Sequence, residues 1–255
     1  MTLRFASLGS GSSGNALIVE VGASRLMLDC GFNQGETTAR LARIGLDPGD
    51  LAGIIVTHEH TDHLGGVARF AKRHAIPVHL TRGPAQSLEA GFPAVLVRFI
   101  DPHEAFAVGD IAVQPYAVPH DAREPVQYVL SDGDKRLGVL TDTGMSTPHI
   151  EENLNGCDAL VLECNHDLDL LARSNYPASL KDRISGRYGH LDNIASAGLL
   201  SRLDNSRLKH IIAAHLSKQN NTPALACAAL AGALGCATEE VLFATQDGGF
   251  DWLVA

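Results

Sequence analysis

The sequence predicts an α/β fold in which two mixed β-sheets pack face to face and carry helices on their outer surfaces. Three observations lead there. The early strand candidates follow one another closely enough to form antiparallel hairpins. Helical patterns intervene more regularly further along, and the strands are apolar runs that need burial between layers.

The elements follow in order. A first hairpin joins 3–8 to 16–21, and a strand at 25–29 comes after it. Strands are expected next at 53–57, 77–80, 95–100, 104–108, 111–118, 125–131 and 135–141, with Ser131-Asp132-Gly133-Asp134 as the turn between the last two. Three more lie at 158–163, 209–214 and 240–246. Helical patterns cover 36–44, with Leu41 and Ile44 and a stop at Gly45, and 64–74, with Val67, Phe70 and Ala71. Thr147-Pro148 opens a helix ending near Gly156, with proline at its first position. Asp192 to Leu203 and Thr222 to Leu234 complete the set, the latter stopped by Gly235. No linker, low-complexity stretch or repeat interrupts the chain, so residues 1–255 are expected to form a single domain.

Composition narrows the class. Five cysteines, odd in number and without a C-x-x-C pair, read as reduced structural thiols in a reducing compartment, and the expected location is cytoplasmic. No apolar run approaches the roughly 20 residues that span a bilayer, so no membrane partner is expected, and no signal peptide is expected either. A net charge of −9 argues against a surface that grips polyanions everywhere. Histidine is abundant, at 12 residues, and several stand at strand ends.

The first hairpin contains Gly9, Gly11 and Gly14 in the pattern G-x-G-x-x-G, with Asp29 downstream. A dinucleotide site needs the third glycine to open a helix facing the pyrophosphate. Here Asn15 and then Ala16-Leu17-Ile18-Val19-Glu20-Val21 follow, a β-branched run that continues as strand. The pattern is a hairpin loop.

After the strand at 53–57 comes His58-Glu59-His60-Thr61-Asp62-His63, four metal-binding side chains within six residues, between a strand and a helix. Imidazole with carboxylate suits Zn²⁺ or Mn²⁺. This segment resembles the central motif of the metallo-β-lactamase-fold hydrolases, whose αβ/βα four-layer sandwich also matches the element order above. The resemblance implies further site residues. Asp29, closing Leu26-Met27-Leu28-Asp29, matches an early aspartate that orients the metal-bound histidines. His120 after Ala117-Val118-Pro119, Asp142 after Leu140-Thr141, and His215 after Ala213-Ala214 match the remaining ligands. On that likeness His58, His60 and His120 hold one cation, Asp62, His63 and His215 hold a second, and Asp142 bridges them. Two divalent ions, Zn²⁺ or Mn²⁺, are expected.

The residues between Asp142 and His215 are too few for the inserted domain of the β-CASP nucleases, and no helical domain of the glyoxalase II kind follows His215. The stretches Leu8-Gly9-Ser10-Gly11-Ser12-Ser13-Gly14-Asn15, Leu162-Glu163-Cys164-Asn165-His166-Asp167, Gly189-His190-Leu191-Asp192-Asn193 and His215-Leu216-Ser217-Lys218-Gln219-Asn220-Asn221 resemble the WalJ (YycJ-like) DNA exonuclease branch over essentially the full chain, and more distantly the PhnP-type phosphodiesterases. Asp192 stands where that pattern has serine. The resemblance implies hydrolysis of a phosphodiester in nucleic acid, DNA above RNA, by in-line attack of a hydroxide shared by the cations. A thioester or lactone hydrolase, or a small cyclic or nucleotide phosphodiesterase, is the alternative.

Asp62 is expected to orient the nucleophile as well as to bind metal, and His190 to protonate the leaving oxygen, with His166 as the other candidate for that role. Ser10, Ser12, Ser13 and Asn15 in the first loop, with Ser217 and Asn220 after His215, are expected to contact a phosphate. Residues 171–210 hold seven cations against three carboxylates, a local net charge of +4, and offer a basic strip for a nucleic-acid backbone.

Overall fold

The hairpins expected near the N-terminus begin a seven-stranded sheet. In the computed structural model, which describes residues 1–255, it contains β1 (Leu3–Gly9), β2 (Ala16–Val21), β3 (Ser24–Leu28), β4 (Gly53–Ile55), β5 (Val78–Leu80) and β6 (Val97–Phe99). The second sheet contains β7 (Phe106–Val108), β8 (Ile111–Ala117), β9 (Val126–Ser131), β10 (Arg136–Leu140), β11 (Ala159–Glu163), β12 (His210–Ala214) and β13 (Leu242–Phe243), and β14 (Phe250–Val254) returns to the first sheet beside β1. The spatial orders are β14-β1-β2-β3-β4-β5-β6 and β13-β12-β11-β10-β9-β8-β7. In each sheet the strands pair antiparallel at first and parallel later, the change falling at β3–β4 and at β10–β11.

Nine helices connect them: α1 (Gln34–Arg43), α2 (Thr61–Leu64), α3 (Val67–His74), α4 (Arg82–Ala85), α5 (Pro148–Leu154), α6 (Leu168–Arg173), α7 (Ala178–Ile184), α8 (Asn193–Leu200) and α9 (Pro223–Leu234). Three cores separate four layers. Leu3, Phe5, Val19, Val113, Tyr128 and Ile212 fill the space between the sheets. Leu41, Val67 and Phe70 pack α1 and α3 on the first sheet. Ile150, Leu154, Leu199 and Leu230 pack α5, α8 and α9 on the second. This is the αβ/βα sandwich that the apolar runs required. No helix is long and apolar enough to cross a membrane.

Caps explain the helix starts. Thr147, Asp192 and Thr222 each accept a hydrogen bond from a backbone N–H of the helix that follows, so Asp192 fills the capping role that a serine would have. The helix expected over 64–74 is broken instead at Gly65-Gly66 into α2 and α3. A Cβ on Gly66 would overlap the Phe32 carbonyl, while its N–H donates to Cys30 O at 2.7 Å. The break thus seats the His58–His63 segment against the end of β3. Several strands are shorter than expected, the extreme being 240–246, where only Leu242–Phe243 forms a strand. Strand β14 was not expected, although the Asp247-Gly248-Gly249 turn and an aromatic run announce it. Helices α4, α6 and α7 were not expected either, being short and adding little to the cores.

Two hydrogen bonds stitch the sheets together beside His58. Val126 N donates to Thr57 O at 3.0 Å, and the buried Tyr128 hydroxyl donates to Val56 O at 2.7 Å. Tyr128→Phe keeps the packing and leaves that carbonyl without its donor. The expected cost is about 1–3 kcal/mol, read as a lower urea midpoint with unchanged slope.

Candidate metal centre

Polar side chains at the ends of six strands meet at one rim of the sandwich. Asp29 follows β3, His58 to His63 follow β4, and His120, Asp142, Glu163 and His215 end or follow β8, β10, β11 and β12. Three of them, Asp29, Asp142 and His215, have φ of 60°, 52° and 55°. A non-glycine residue in this left-handed region costs about 1–2 kcal/mol. Each turns its side chain back to the rim.

Hydrogen bonds fix the imidazole orientations. Asp29 Oδ1 accepts from Thr57 N, and its Oδ2 accepts from the Thr57 hydroxyl at 2.8 Å and from His63 Nδ1 at 2.7 Å. Because the Thr57 proton goes to Asp29, its oxygen accepts from His58 Nδ1 at 3.0 Å. His120 Nδ1 faces the Gly189 carbonyl at 3.1 Å, and His60 Nε2 faces the Asp121 carbonyl at 3.3 Å. Carbonyls only accept, so each outer nitrogen carries the proton and each inner nitrogen presents a lone pair. His120 Nε2 and His60 Nδ1 then oppose each other at 3.2 Å.

The donor atoms gather in two adjoining groups, His58, His60 and His120 in one, and Asp62, His63, Asp142 and His215 in the other. The His58 and His63 rings lie 4.3 Å apart and join them. His63 Nε2 stands 3.0 Å from Asp142 Oδ2, and His215 Nε2 lies 3.3 Å from Asp62 Oδ2 and 3.5 Å from Asp142 Oδ1. His58 Nε2 is buried without a hydrogen-bond partner. Lone pairs and carboxylates at these separations repel unless a cation or a proton sits among them. The set therefore fits divalent metal, with nitrogen and oxygen donors and no thiolate.

Protons take that place in the metal-free protein. Burial lowers His58 well below the ordinary imidazole range, helped by the neighbouring His63. Burial also opposes charge on His63 and His215, but Asp142 and Asp29 hold His63 well above that range, and Asp142 with Asp62 holds His215 at about 10. Asp62 and Asp142 are correspondingly held far below the carboxylate range, against their own burial, by His215 and His63.

Glu163, which the sequence motifs contain but give no role, is fully buried at the centre. Its Oε2 accepts from Thr143 N and Leu191 N, and its Oε1 stands 2.8 Å from His190 Nδ1 and 3.4 Å from His215 Nδ1. Burial would raise it, but His190 holds it near 2. The signal was available, since Glu163 closes an apolar strand as Asp142 and His215 do. His190 is raised in turn, because Glu163 outweighs desolvation. His166 does not join them. It is fully buried, its Nδ1 lies 3.3 Å from Asn165 Oδ1, its enclosed Nε2 has no partner, and it does not line the cavity above the centre.

A cavity of about 440 Å³ opens above the centre, walled by Asp62, Asp142, His190, His215, Ser12 and Ser217 among others. The other expected phosphate contacts do not line this cavity. Ser10 is buried and its hydroxyl accepts from His215 N, fixing that strained residue. Asn15 bonds across its own loop to Gly11 and reaches Asp62 and His63. Ser13 offers its N–H to Gln246, and Asn220 is buried behind Ser217. The basic strip is not continuous. Arg207 pairs with Asp158, and Lys209 lies beside it, at the starts of β11 and β12, the opposite end of those strands from the centre. Arg202 pairs with Glu151 in the outer helix layer.

Residues 24–212 match the beta-lactamase superfamily domain. The chain is 34% identical to the exodeoxyribonuclease YycJ of Bacillus anthracis, over 89% of this chain and 87% of that protein. Among solved structures, the metallo-β-lactamase-fold protein YhfI of Bacillus subtilis superposes with a TM-score of 0.77 at 13% identity, covering all of both chains. A diphosphatase of the PhnP family superposes with a TM-score of 0.70 at 17% identity, covering 100% of this chain and 98% of that one.

Since His215 keeps its proton to about pH 10 without metal, uptake of a cation at pH 7 displaces protons, and affinity rises with pH over that range. Zn²⁺ calorimetry at pH 7 in two buffers of different ionisation enthalpy is expected to report release of at least one proton. A heat independent of buffer would refute it.

Proposed function

The chain belongs to the beta-lactamase superfamily, and from that footing we propose that it is a metal-dependent phosphodiesterase that hydrolyses nucleic acid, DNA at a strand end, as one domain in the cytoplasm. His58, His60 and His120 would hold one cation, Asp62, His63 and His215 a second, with Asp142 between them, and Zn²⁺ and Mn²⁺ are the candidates for this donor set. Bound there, the cations would supply Lewis acidity, lowering the pKa of water and neutralising charge on the phosphoryl oxygens. Likeness to an exodeoxyribonuclease across most of the chain supports the choice of nucleic acid.

The observation that carries the phosphodiester reading is the 2.8 Å contact between Glu163 and His190 beside Asp142. Nδ1–H of His190 donates to Glu163, which favours the charged ring and leaves Nε2 as the atom that can release a proton. The ring lines the cavity, and its side chain is 22% exposed. A departing sugar oxygen holds its proton about as tightly as water and is helped by such an acid. A thiolate, with a pKa of about 8.5, leaves without one. The arrangement therefore favours an oxygen leaving group over a thioester. Asp62 is held from behind by Asn15 Nδ2 at 3.3 Å and stays partly open to the cavity, where it can orient the attacking water. His190 thus gives up a proton as the ester oxygen leaves, while Glu163 keeps its own charge.

Metal-dependent shortening of end-labelled DNA by the purified protein, with metal content measured alongside, tests the reading. His190→Ala is expected to lower kcat by about 10²–10⁴ while metal content stays intact, and Asp142→Ala to lose both. Glu163→Gln removes the charge that raises His190, so the alkaline limb of the rate profile moves to lower pH. Full activity in His190→Ala, or an unmoved limb in Glu163→Gln, would overturn these roles.

A further inference from the structure

Helix α7 contributes no buried residue to the protein. Leu180 and Ile184 on it are spaced four residues apart, which puts both side chains on one face, and Tyr176 lies just before the helix. None of them belongs to any of the three cores. They line the cavity above the metal centre instead, and they are its only three hydrophobic walls. An apolar stripe that the core leaves half-exposed needs another cover. Across the cavity stand Asp62, Asp142, His190 and His215. Arg183, on the same helix, also lines it, with its guanidinium 2.6 Å from Asp121. That pair is exposed, and such pairs are weak enough to exchange one anion for another.

We propose that Tyr176, Leu180 and Ile184 form a nucleobase wall. The base of the nucleotide whose phosphate lies against the histidine and aspartate wall packs on the Tyr176 ring, and Arg183 turns from Asp121 to an adjoining phosphate. The inference rests on the phosphodiesterase reading and adds which part of the substrate enters. An aromatic ring, a guanidinium and a cation-binding wall around one cavity suit a flat ring joined to an anion, whereas an acyl chain suits an enclosed aliphatic tunnel. At about 440 Å³ the cavity falls within the range of roughly 300–1,000 Å³ that takes a single small ligand, room for one nucleotide. The base enters unpaired, from a single-stranded or frayed end, and stacking makes the choice tolerant of sequence.

The test compares single-stranded oligonucleotides with a normal or an abasic residue at each terminus in turn. The wild-type protein is expected to cleave the normal end about 10- to 100-fold faster in kcat/KM, the size that base–aromatic stacking supplies. Tyr176→Ala is expected to abolish that ratio and Tyr176→Phe to preserve it, with metal content and circular dichroism unchanged in both, since Tyr176 lies outside the cores. A ratio near one in the wild type, or an undiminished ratio in Tyr176→Ala, refutes the wall while leaving the phosphodiesterase reading intact. Failure of the wild type to cleave either strand, with hydrolysis of a decanoyl thioester that weakens in Tyr176→Ala, refutes both.

Discussion

Lone pairs and carboxylates packed within 3–3.5 Å of one another form an arrangement that repels itself, and the rest of the fold is organised to hold it in place. A single hydrogen-bonded chain does much of that work: Asp29 takes the Thr57 and His63 protons, Thr57 takes the His58 proton, and the inner nitrogens are left facing inward. Three left-handed residues store part of the cost in backbone strain. Each is anchored at its strand end: Asp29 N donates to Ile55 O, His215 N to the Ser10 hydroxyl, and Thr143, just after Asp142, to Glu163. A cation relieves the repulsion, so metal binding and the rigidity of the rim are one energetic problem.

Neither sheet could build this centre alone. The first supplies Asp29 and the His58–His63 segment, and the second supplies His120, Asp142, Glu163 and His215. The Tyr128–Val56 and Val126–Thr57 bonds lie where the two contributions meet. Close packing between the sheets is therefore a condition of the chemistry, since a shift of an ångström would separate donors whose useful range is narrower than that. The glycine break at Gly65-Gly66 serves the same end, because a continuous helix would draw the His58–His63 segment away from β3.

How much of this was legible depends on the range of the signal. The His58–His63 motif is local, six residues between a strand and a helix, and spacing alone makes it visible. Asp29, Asp142 and His215 are visible as polar residues closing apolar runs. Glu163 obeys the same rule, but a carboxylate that acts through His190 and His215 has no motif of its own, because its partners are distant in sequence. Ser10 and Asn15 show the limit of composition. Small polar residues in a glycine loop suggest phosphate contacts, but the direction of each side chain follows from backbone angles and from partners far along the chain, such as His215. The apolar stripe of α7 was invisible for a related reason, since three residues four apart in a short segment read equally as a loop.

A net charge of −9 is at odds with a polyanionic substrate only if charge acts at long range. At physiological salt the screening length is about 8 Å, so the far surface contributes little at the rim. Locally, Asp29, Asp62, Asp142 and Glu163 give four carboxylates, which two divalent cations would offset. Glu59, Asp121 and Arg183 also line the cavity, the last two as an ion pair, while Arg202 and Arg207 are engaged elsewhere. Such a distribution offers no long track for a phosphate backbone and concentrates its grip on whatever enters one cavity. On the proposed function, that is how a protein repelled by the flank of a nucleic acid can still work on its end.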